Sequence, residues 1–324
     1  MTLRELNRTL LLRQMLLQRK RISVYNAAAR LVALQAQYAP SPYVALWSRV
    51  QGFRKEQLTE AFRDGSIVKA TTLRTTLHVS TRDDYPAIAA AYIETQRARA
   101  ERLGVDALRV AAPAGPIESA ELIELGHRVL GTDDRWAVAF ALRALPFVRA
   151  APVGPWPHTK PPPYRYWRES LPDAGEAATR VVRGYLAGYG PATREDIQQF
   201  TGFRLGQIDA ALSGVPERSG LYDLPRAPRA AADTPAPVRF LPAFDSIILA
   251  HRDRSRIVPP EYADVVFNKK NATTKNTFTV DGFVAGAWRI EKGRITVEPF
   301  APLPVRVRRE VDAEAARLLA WYAA

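Results

Sequence analysis

The chain has 324 residues, is 47% hydrophobic and carries a formal charge of +13 with a sequence pI near 10.1. That length holds two or three compact units rather than one core, and the apolar content excludes wholesale disorder. With no cysteine there is no disulfide, no thiolate nucleophile and no Cys-ligated metal; His78, His127, His158 and His251 lie too far apart for a paired metal signature, so no metal and no cofactor is expected.

Residues 2 to 20 read as one amphipathic helix, with Leu3, Leu6, Leu10, Met15 and Leu17 apolar and arginine on the remaining face. Arg4, Glu5, Arg8 and Arg13 within that run are unlike a signal peptide. The longest uncharged window, 31 to 48, contains Gln, Ser and Pro and cannot span a bilayer, so a cytosolic protein is expected. Residues 24 to 37 are predicted to form a second helix, ended by Pro40 and Pro42. Helices follow over 43 to 49 and 55 to 64, the latter closed by Gly65. SIVKATTLRTTLHVS is rich in β-branched residues and alternates, which predicts a strand or hairpin, and 83 to 102 is helical again. Helices followed by a two-strand ribbon is the order of a winged-helix unit.

The order then repeats. After the break at 113 to 116, helices over 118 to 130 and 135 to 145 lead into a Pro-rich stretch, 147 to 167, that reads as a long wing or hairpin. Pro161 to Pro163 argue against a central strand there. Past Pro172, 176 to 189 is helical, Thr193 caps a helix over 194 to 200, and 205 to 212 is the next. An Ala/Pro linker, 227 to 237, separates these from strand-like segments in which Asp281-Gly282 marks a hairpin, and a closing helix over 311 to 322. The expectation is an α+β, mainly α, chain: three tandem winged-helix units at 1–112, 113–172 and 173–230, then a small β-barrel with a C-terminal helix at 231–324.

Arginine supplies most of the positive charge. Its planar fork suits close phosphate contact, which points to nucleic acid; a merely soluble basic protein is the bland alternative. Two amides one residue apart, Gln35 and Gln37, precede Pro40 and stand out from this background.

Four segments resemble the AlkZ/YcaQ-type winged-helix DNA glycosylases: LQAQYAP at 34 to 40 with SRV after Trp47; LRTTLHV at 73 to 79; YLAGYGPATREDIQQFTGF at 185 to 203; and LPAFDSIILAHRDR at 241 to 254 with VDGFVAGAW at 280 to 288. Two departures stand out. Ala33 replaces the usual Gly before the Leu-Gln step, and in Arg74-Thr75-Thr76-Leu77-His78 Thr75 stands where the family has Gly. If that Gly serves a positive φ, Thr75 should disturb the wing near His78. The stretch 104 to 172 offers little match. The resemblance implies a C-shaped clamp on duplex DNA and excision of N7-alkylated purines, with bulky adducts or interstrand crosslinks among some members' substrates. It also implies that Gln35 and Gln37 form the catalytic Gln-x-Gln pair.

Gln has no useful pKa and cannot be a general base, but its oxygen can hold a water in line with C1′ while its NH2 bonds a phosphate or sugar oxygen. That suffices only when the leaving base already carries a positive charge. On an ideal helix residues two apart point about 200° away from each other, so the pair can share a site only if the helix ends between them. Solvated or capping glutamines are the structural alternative. Candidate DNA contacts are Arg49, Arg74 and His78 around the first wing and His251, Arg252, Arg254, Lys269 and Lys270 from the barrel. Asp245 reads as a turn ligand to backbone NH groups, and Trp47 and Trp288 as core; Trp156, Tyr164, Tyr166 and Trp167 are candidates for probing a groove. The expected partner is duplex DNA carrying alkylated purines, met by a monomer in the cytoplasm, associated with the nucleoid. The competing readings are a non-catalytic winged-helix DNA-binding regulator, and a protein turned to RNA or to sequestering an alkylating toxin.

Overall fold

Local sequence signals set the first helix of the computed structural model, which describes residues 1–150, 162–268 and 270–324. Thr2 accepts from the Glu5 N–H at 3.2 Å and Glu5 accepts from the Thr2 N–H at 2.7 Å, a capping box that starts α1 (Leu3–Arg13). α1 is shorter than the predicted helix because Met15 turns to φ 60°. α2 (Val24–Leu31) starts at its Ser23 cap and also stops early. Val32 sits at φ 61°, outside helical space, and the next residues run extended. Leu34–Gln35 therefore form β1, a strand, and not the end of a helix over 24 to 37. α3 (Ser41–Arg49) begins at Pro40 and Pro42, where a missing N–H leaves no intrahelical bond unmade. α4 (Lys55–Arg63) leads to Gly65 at φ 78°.

β2 (Ile67–Thr72) and β3 (Thr76–Thr81) pair antiparallel, from Ile67 opposite Thr81 to Thr72 opposite Thr76. β1 lies on the other side of β3, with Leu34 opposite Val79 and Gln35 opposite His78. Then come α5 (Tyr85–Arg102), α6 (Val105–Ala111), α7 (Ser119–Leu130) and α8 (Arg135–Arg143), followed by β4 (Phe147–Arg149) and β5 (Tyr164–Tyr166). β4 pairs with both β2 and β5, so the hairpins after the first and second helix groups share one five-stranded sheet, ordered β1-β3-β2-β4-β5. β5 is an edge strand, which tolerates Pro162 and Pro163 before it.

α9 (Ala174–Tyr189) is the central helix, packed against α1, α2, α5 and α11. Close approach needs small residues: a Cβ on Gly188 would lie 2.7 Å from the Arg30 carbonyl oxygen. Its two fully buried tyrosines stay hydrogen-bonded, Tyr185 donating to the Ala250 carbonyl at 2.9 Å and Tyr189 to the Leu31 carbonyl at 3.0 Å. α10 (Arg194–Thr201) opens on a Thr193–Asp196 capping box and closes at Gly202, followed by α11 (Leu205–Ala211) and a separate small hairpin, β6 (Glu217–Arg218) with β7 (Leu221–Tyr222).

The C-terminal region contains β8 (Arg239–Leu241), α12 (Ser246–Leu249), α13 (Ala263–Val266), β9 (Phe267–Asn268), β10 (Thr273–Thr274), β11 (Thr277–Val280), β12 (Phe283–Glu291) and β13 (Arg294–Pro299). Asp281 at φ 48° and Gly282 at φ 82° make the expected tight turn. The expected barrel is replaced by an open sheet, ordered β13-β12-β11-β8, with no pairing between β13 and β8 among the described residues. The reason is α14 (Val305–Ala323), whose Val311, Ala315 and Leu318 cover the apolar side that closure would have buried. Trp47 and Trp288 belong to this core, as read from sequence; the Trp288 indole N–H lies 3.0 Å from the carbonyls of both Leu241 and Thr277.

Candidate active site

The strand β1 changes the geometry of the glutamine pair. The chain has left helical space before Gln35, so the 200° separation of a helix does not arise; β1 ends at Gln35 and Gln37 lies in the bend that follows. Ala36, between them, is 1% exposed, and its N–H donates to the Leu77 carbonyl at 2.7 Å. The Gln35 oxygen accepts from the Arg74 guanidinium at 3.1 Å, and the Gln37 oxygen accepts from the Leu77 backbone N–H at 3.1 Å. Both partners can only donate. Each carboxamide is therefore locked with its oxygen toward the β2–β3 hairpin and its NH2 turned away, and each oxygen keeps a second lone pair. Gln35 is 8% exposed; Gln37 is open to solvent.

The hairpin turn, Leu73–Thr75, carries two non-glycine residues in the left-handed region, Arg74 at φ 54° and Thr75 at φ 62°. Thr75 thus adopts the backbone shape that glycine would supply, and the β2–β3 hairpin is kept despite the departure. A β-branched residue there stores roughly 1–3 kcal/mol of strain. Arg74, expected on phosphate, is engaged inward: it bonds Gln35 and the Phe200 carbonyl, and its guanidinium lies 5.6 Å from the Phe200 ring centroid. Burial pushes its pKa down to about 10, so it remains charged at neutral pH. His78 was also expected near DNA, yet it is 3% exposed. Its Nδ1 lies 3.0 Å from the Thr76 carbonyl, which only accepts, so Nδ1 carries the proton. Burial, and then the charge of Arg74, push the His78 pKa down to about 3, and the ring is neutral.

Gln37, Thr75 and Leu77 line a cleft of about 270 Å³, together with Ile123 of α7, Ala139 of α8 and the two cations Arg143 and Arg149. The Arg149 guanidinium stacks 3.7 Å from the Tyr164 ring centroid. Ile123, Ala139, Arg143 and Arg149 come from the stretch 104 to 172, where the sequence offered little match, and the reading of the sequence missed them. The available signal was the alternation Phe147–Arg149 in front of the Pro-rich break, which puts an arginine on the same side of a strand as a core aromatic.

The remaining candidates fall into two groups. Arg49 and His251 are interior residues, not DNA contacts. Arg49 is 0% exposed and donates two hydrogen bonds to the Asp245 carboxylate, at 2.8 and 2.7 Å. Asp245 also caps α12 through the Ile247 N–H at 3.0 Å, so it is a buried counter-ion as well as the expected turn ligand. His251 is 1% exposed, its Nε2 is 3.1 Å from the Tyr189 carbonyl, and burial pushes its pKa well down. Arg252 and Lys270 are exposed, and Arg254 is half-buried with its guanidinium 4.0 Å from the Phe267 ring centroid. Tyr164 and Tyr166 pack against Phe147 and are half-buried, Tyr164 also lining the cleft, whereas Trp167 is buried against Tyr85 and does not probe a groove. Lys269 and Trp156 lie outside the described residues.

Comparison with known proteins adds three findings. The family described as "DNA glycosylase AlkZ-like" matches residues 28–321. A relative named "Interstrand DNA cross-link repair glycosylase", from Streptomyces sahachiroi, is 27% identical over 164 residues, 45% of this chain and 44% of that one, so the match spans less than half of the relative's length. The solved structure titled "Streptomyces sahachiroi DNA glycosylase AlkZ" shares the fold, with a TM-score of 0.82 at 21% identity over 99% of this chain and 96% of that one.

Proposed function

The chain belongs to the AlkZ-like DNA glycosylase family, and on that premise we propose that it is a monofunctional DNA glycosylase that hydrolyses the N-glycosyl bond of purines alkylated at N7. The observation that carries this reading is the pair of orientation-locked carboxamides, Gln35 and Gln37, with Gln37 at a cleft that also holds Arg143 and Arg149. A locked Gln oxygen with one lone pair left can hold a water in line with C1′ without reorganising during the reaction. It cannot remove a proton at neutral pH, so the barrier must fall by other means. An N7-alkylated purine supplies them, because its ring is already cationic and departs without protonation. Arginines near the cleft can bind flanking phosphates.

Residues 1–112, 113–172 and 173–230 are read here as three winged-helix units, each a helix group followed by a hairpin, that with the C-terminal sheet clamp a duplex. The exposed Arg252 and Lys270, with Arg254 and Lys269, would grip the backbone from the C-terminal region. We take the protein to act as a monomer on chromosomal DNA in the cytoplasm; among the described residues no helix is long and apolar enough to cross a membrane. Bulky N7 adducts and interstrand crosslinks fall within the proposed range, in keeping with the name of the Streptomyces sahachiroi relative.

The test is base release from duplex DNA containing 7-methylguanine, with abasic sites scored by alkaline strand cleavage. Gln37→Ala should abolish release while leaving DNA affinity nearly intact. Release of uracil or hypoxanthine as fast as 7-methylguanine would overturn the cationic-leaving-group argument. An inert wild-type protein with a sharp sequence preference would instead identify a non-catalytic regulator.

A further inference from the structure

We propose that Arg74 is a positioning residue that acts through Gln35, and that the end of α10 is thereby part of the active site. This rests on the reading of Gln35 as one of the catalytic pair. Arg74 sits at φ 54° in a turn where the next residue, Thr75, is also left-handed. Such a turn persists only where surrounding structure over-determines it. Here the surroundings come from a helix more than a hundred residues further along the chain. The Phe200 carbonyl accepts from one arm of the guanidinium, and the Phe200 ring lies beneath it. Gly202, at φ 74°, packs so closely that a Cβ there would be 3.3 Å from the Arg74 backbone nitrogen.

The other arm reaches the Gln35 oxygen at 3.1 Å. Among the described residues no carboxylate pairs with Arg74 at ion-pair distance, so its charge is directed at two neutral oxygens, one of them on Gln35. A charge-assisted bond of this kind opposes rotation of the carboxamide, and because arginine has no acceptor it also excludes the flipped orientation. A phosphate ligand would look different: its guanidinium would face solvent and its loss would weaken binding.

The experiment is a double-mutant cycle read by single-turnover base release from 7-methylguanine duplex at saturating enzyme, with DNA affinity measured at two salt concentrations. Arg74→Met should slow release on the order of tenfold to a hundredfold, the loss of one charge-assisted bond in the reacting state, with affinity and its salt dependence unchanged. In the Gln35→Ala background the same change should cost less than about twofold, because the residue it acts through is gone. Arg74→Lys keeps the charge but cannot reach both oxygens; it should give the same non-additivity, and it serves if Arg74→Met does not fold. Full additivity of the two changes in an active enzyme overturns this proposal alone, as does weakened binding with a shallower salt slope and an unchanged rate. A Gln35→Ala protein that releases base at the wild-type rate overturns the catalytic reading of Gln35 as well.

Discussion

Replacing Asp245 with Asn tests whether Arg49 is structural. Both side chains of the pair are 0% exposed, and the guanidinium also bonds the Ala45 carbonyl at 3.0 Å. Neutralising the carboxylate leaves a buried cation without its counter-charge, which typically costs about 3–5 kcal/mol. With an unfolding entropy near 2.1 cal/mol/K per residue, 324 residues give about 0.7 kcal/mol/K, so the melting temperature should fall by roughly 4–7 °C if the chain melts as one unit. The double variant Arg49→Met with Asp245→Leu replaces both charges with apolar groups and should recover much of that loss. The effect also reaches the glutamine pair. Ser246, the next residue, donates its hydroxyl to the Ala33 carbonyl at 3.1 Å, immediately before β1. Base release by Asp245→Asn should therefore fall at temperatures well below its melting point. Scanning calorimetry and DNA affinity at fixed salt provide the check. An Arg49→Met protein that melts within about 1 °C of wild type but binds DNA more weakly, with a reduced salt slope, would refute the reasoning and restore Arg49 as a phosphate ligand.

Thr75→Gly should stabilise the chain by about 0.5–1.5 kcal/mol, since relief of left-handed strain exceeds glycine's larger unfolded-state entropy, and base release should persist; chemical denaturation that shows a loss instead would mean that the turn is not strained. His78 and His251 have pKa values depressed from about 6.5, His78 to about 3. The unfolded chain therefore binds more protons below pH 6.5, and stability falls as pH drops toward 3, by up to about 1.4 kcal/mol per pH unit for each histidine. Melting temperatures between pH 7.5 and 5 should fall less steeply for His78→Asn, and an unchanged slope would show that this ring is already charged in the folded protein. Arg252→Ala and Lys270→Ala should each weaken duplex binding uniformly across sequences and reduce the salt slope by about 1, as measured by anisotropy titration. Unchanged affinity in both would remove these two segments of the C-terminal region from the proposed DNA surface.

The parts of the fold that were legible in the sequence are those fixed by neighbours along the chain. Thr193 with Asp196 caps α10, and Asp281-Gly282 turns β11 into β12, because in each case the deciding hydrogen bond or φ value is local. Long-range partners decided the rest. Arg49 reads as a surface cation until Asp245, nearly two hundred residues on, is brought against it. The barrel reading failed for a similar reason: strand alternation announces an apolar face but not that α14 will cover it.

The glutamine pair shows most clearly how little spacing alone decides. Leu34–Gln35 is a two-residue strand, too short for any periodicity to reveal, and it exists because Val32 leaves helical space and β3 offers unpaired backbone groups. Once the segment is extended, a spacing of two changes meaning. On a helix it would separate the carboxamides; here β1 ends at Gln35, Gln37 follows in a bend, and both side chains turn to the one hairpin. Both oxygens then find donors from that hairpin, Arg74 and the Leu77 N–H, and both amides acquire the same orientation. The uniform orientation follows from the donors being structural parts of one turn, and that turn is held in a strained shape by α10. Precision at the pair is therefore a property of three elements distant in sequence, which is why a short Gln-x-Gln string can be held in a fixed orientation in this chain and be an ordinary solvated surface in another.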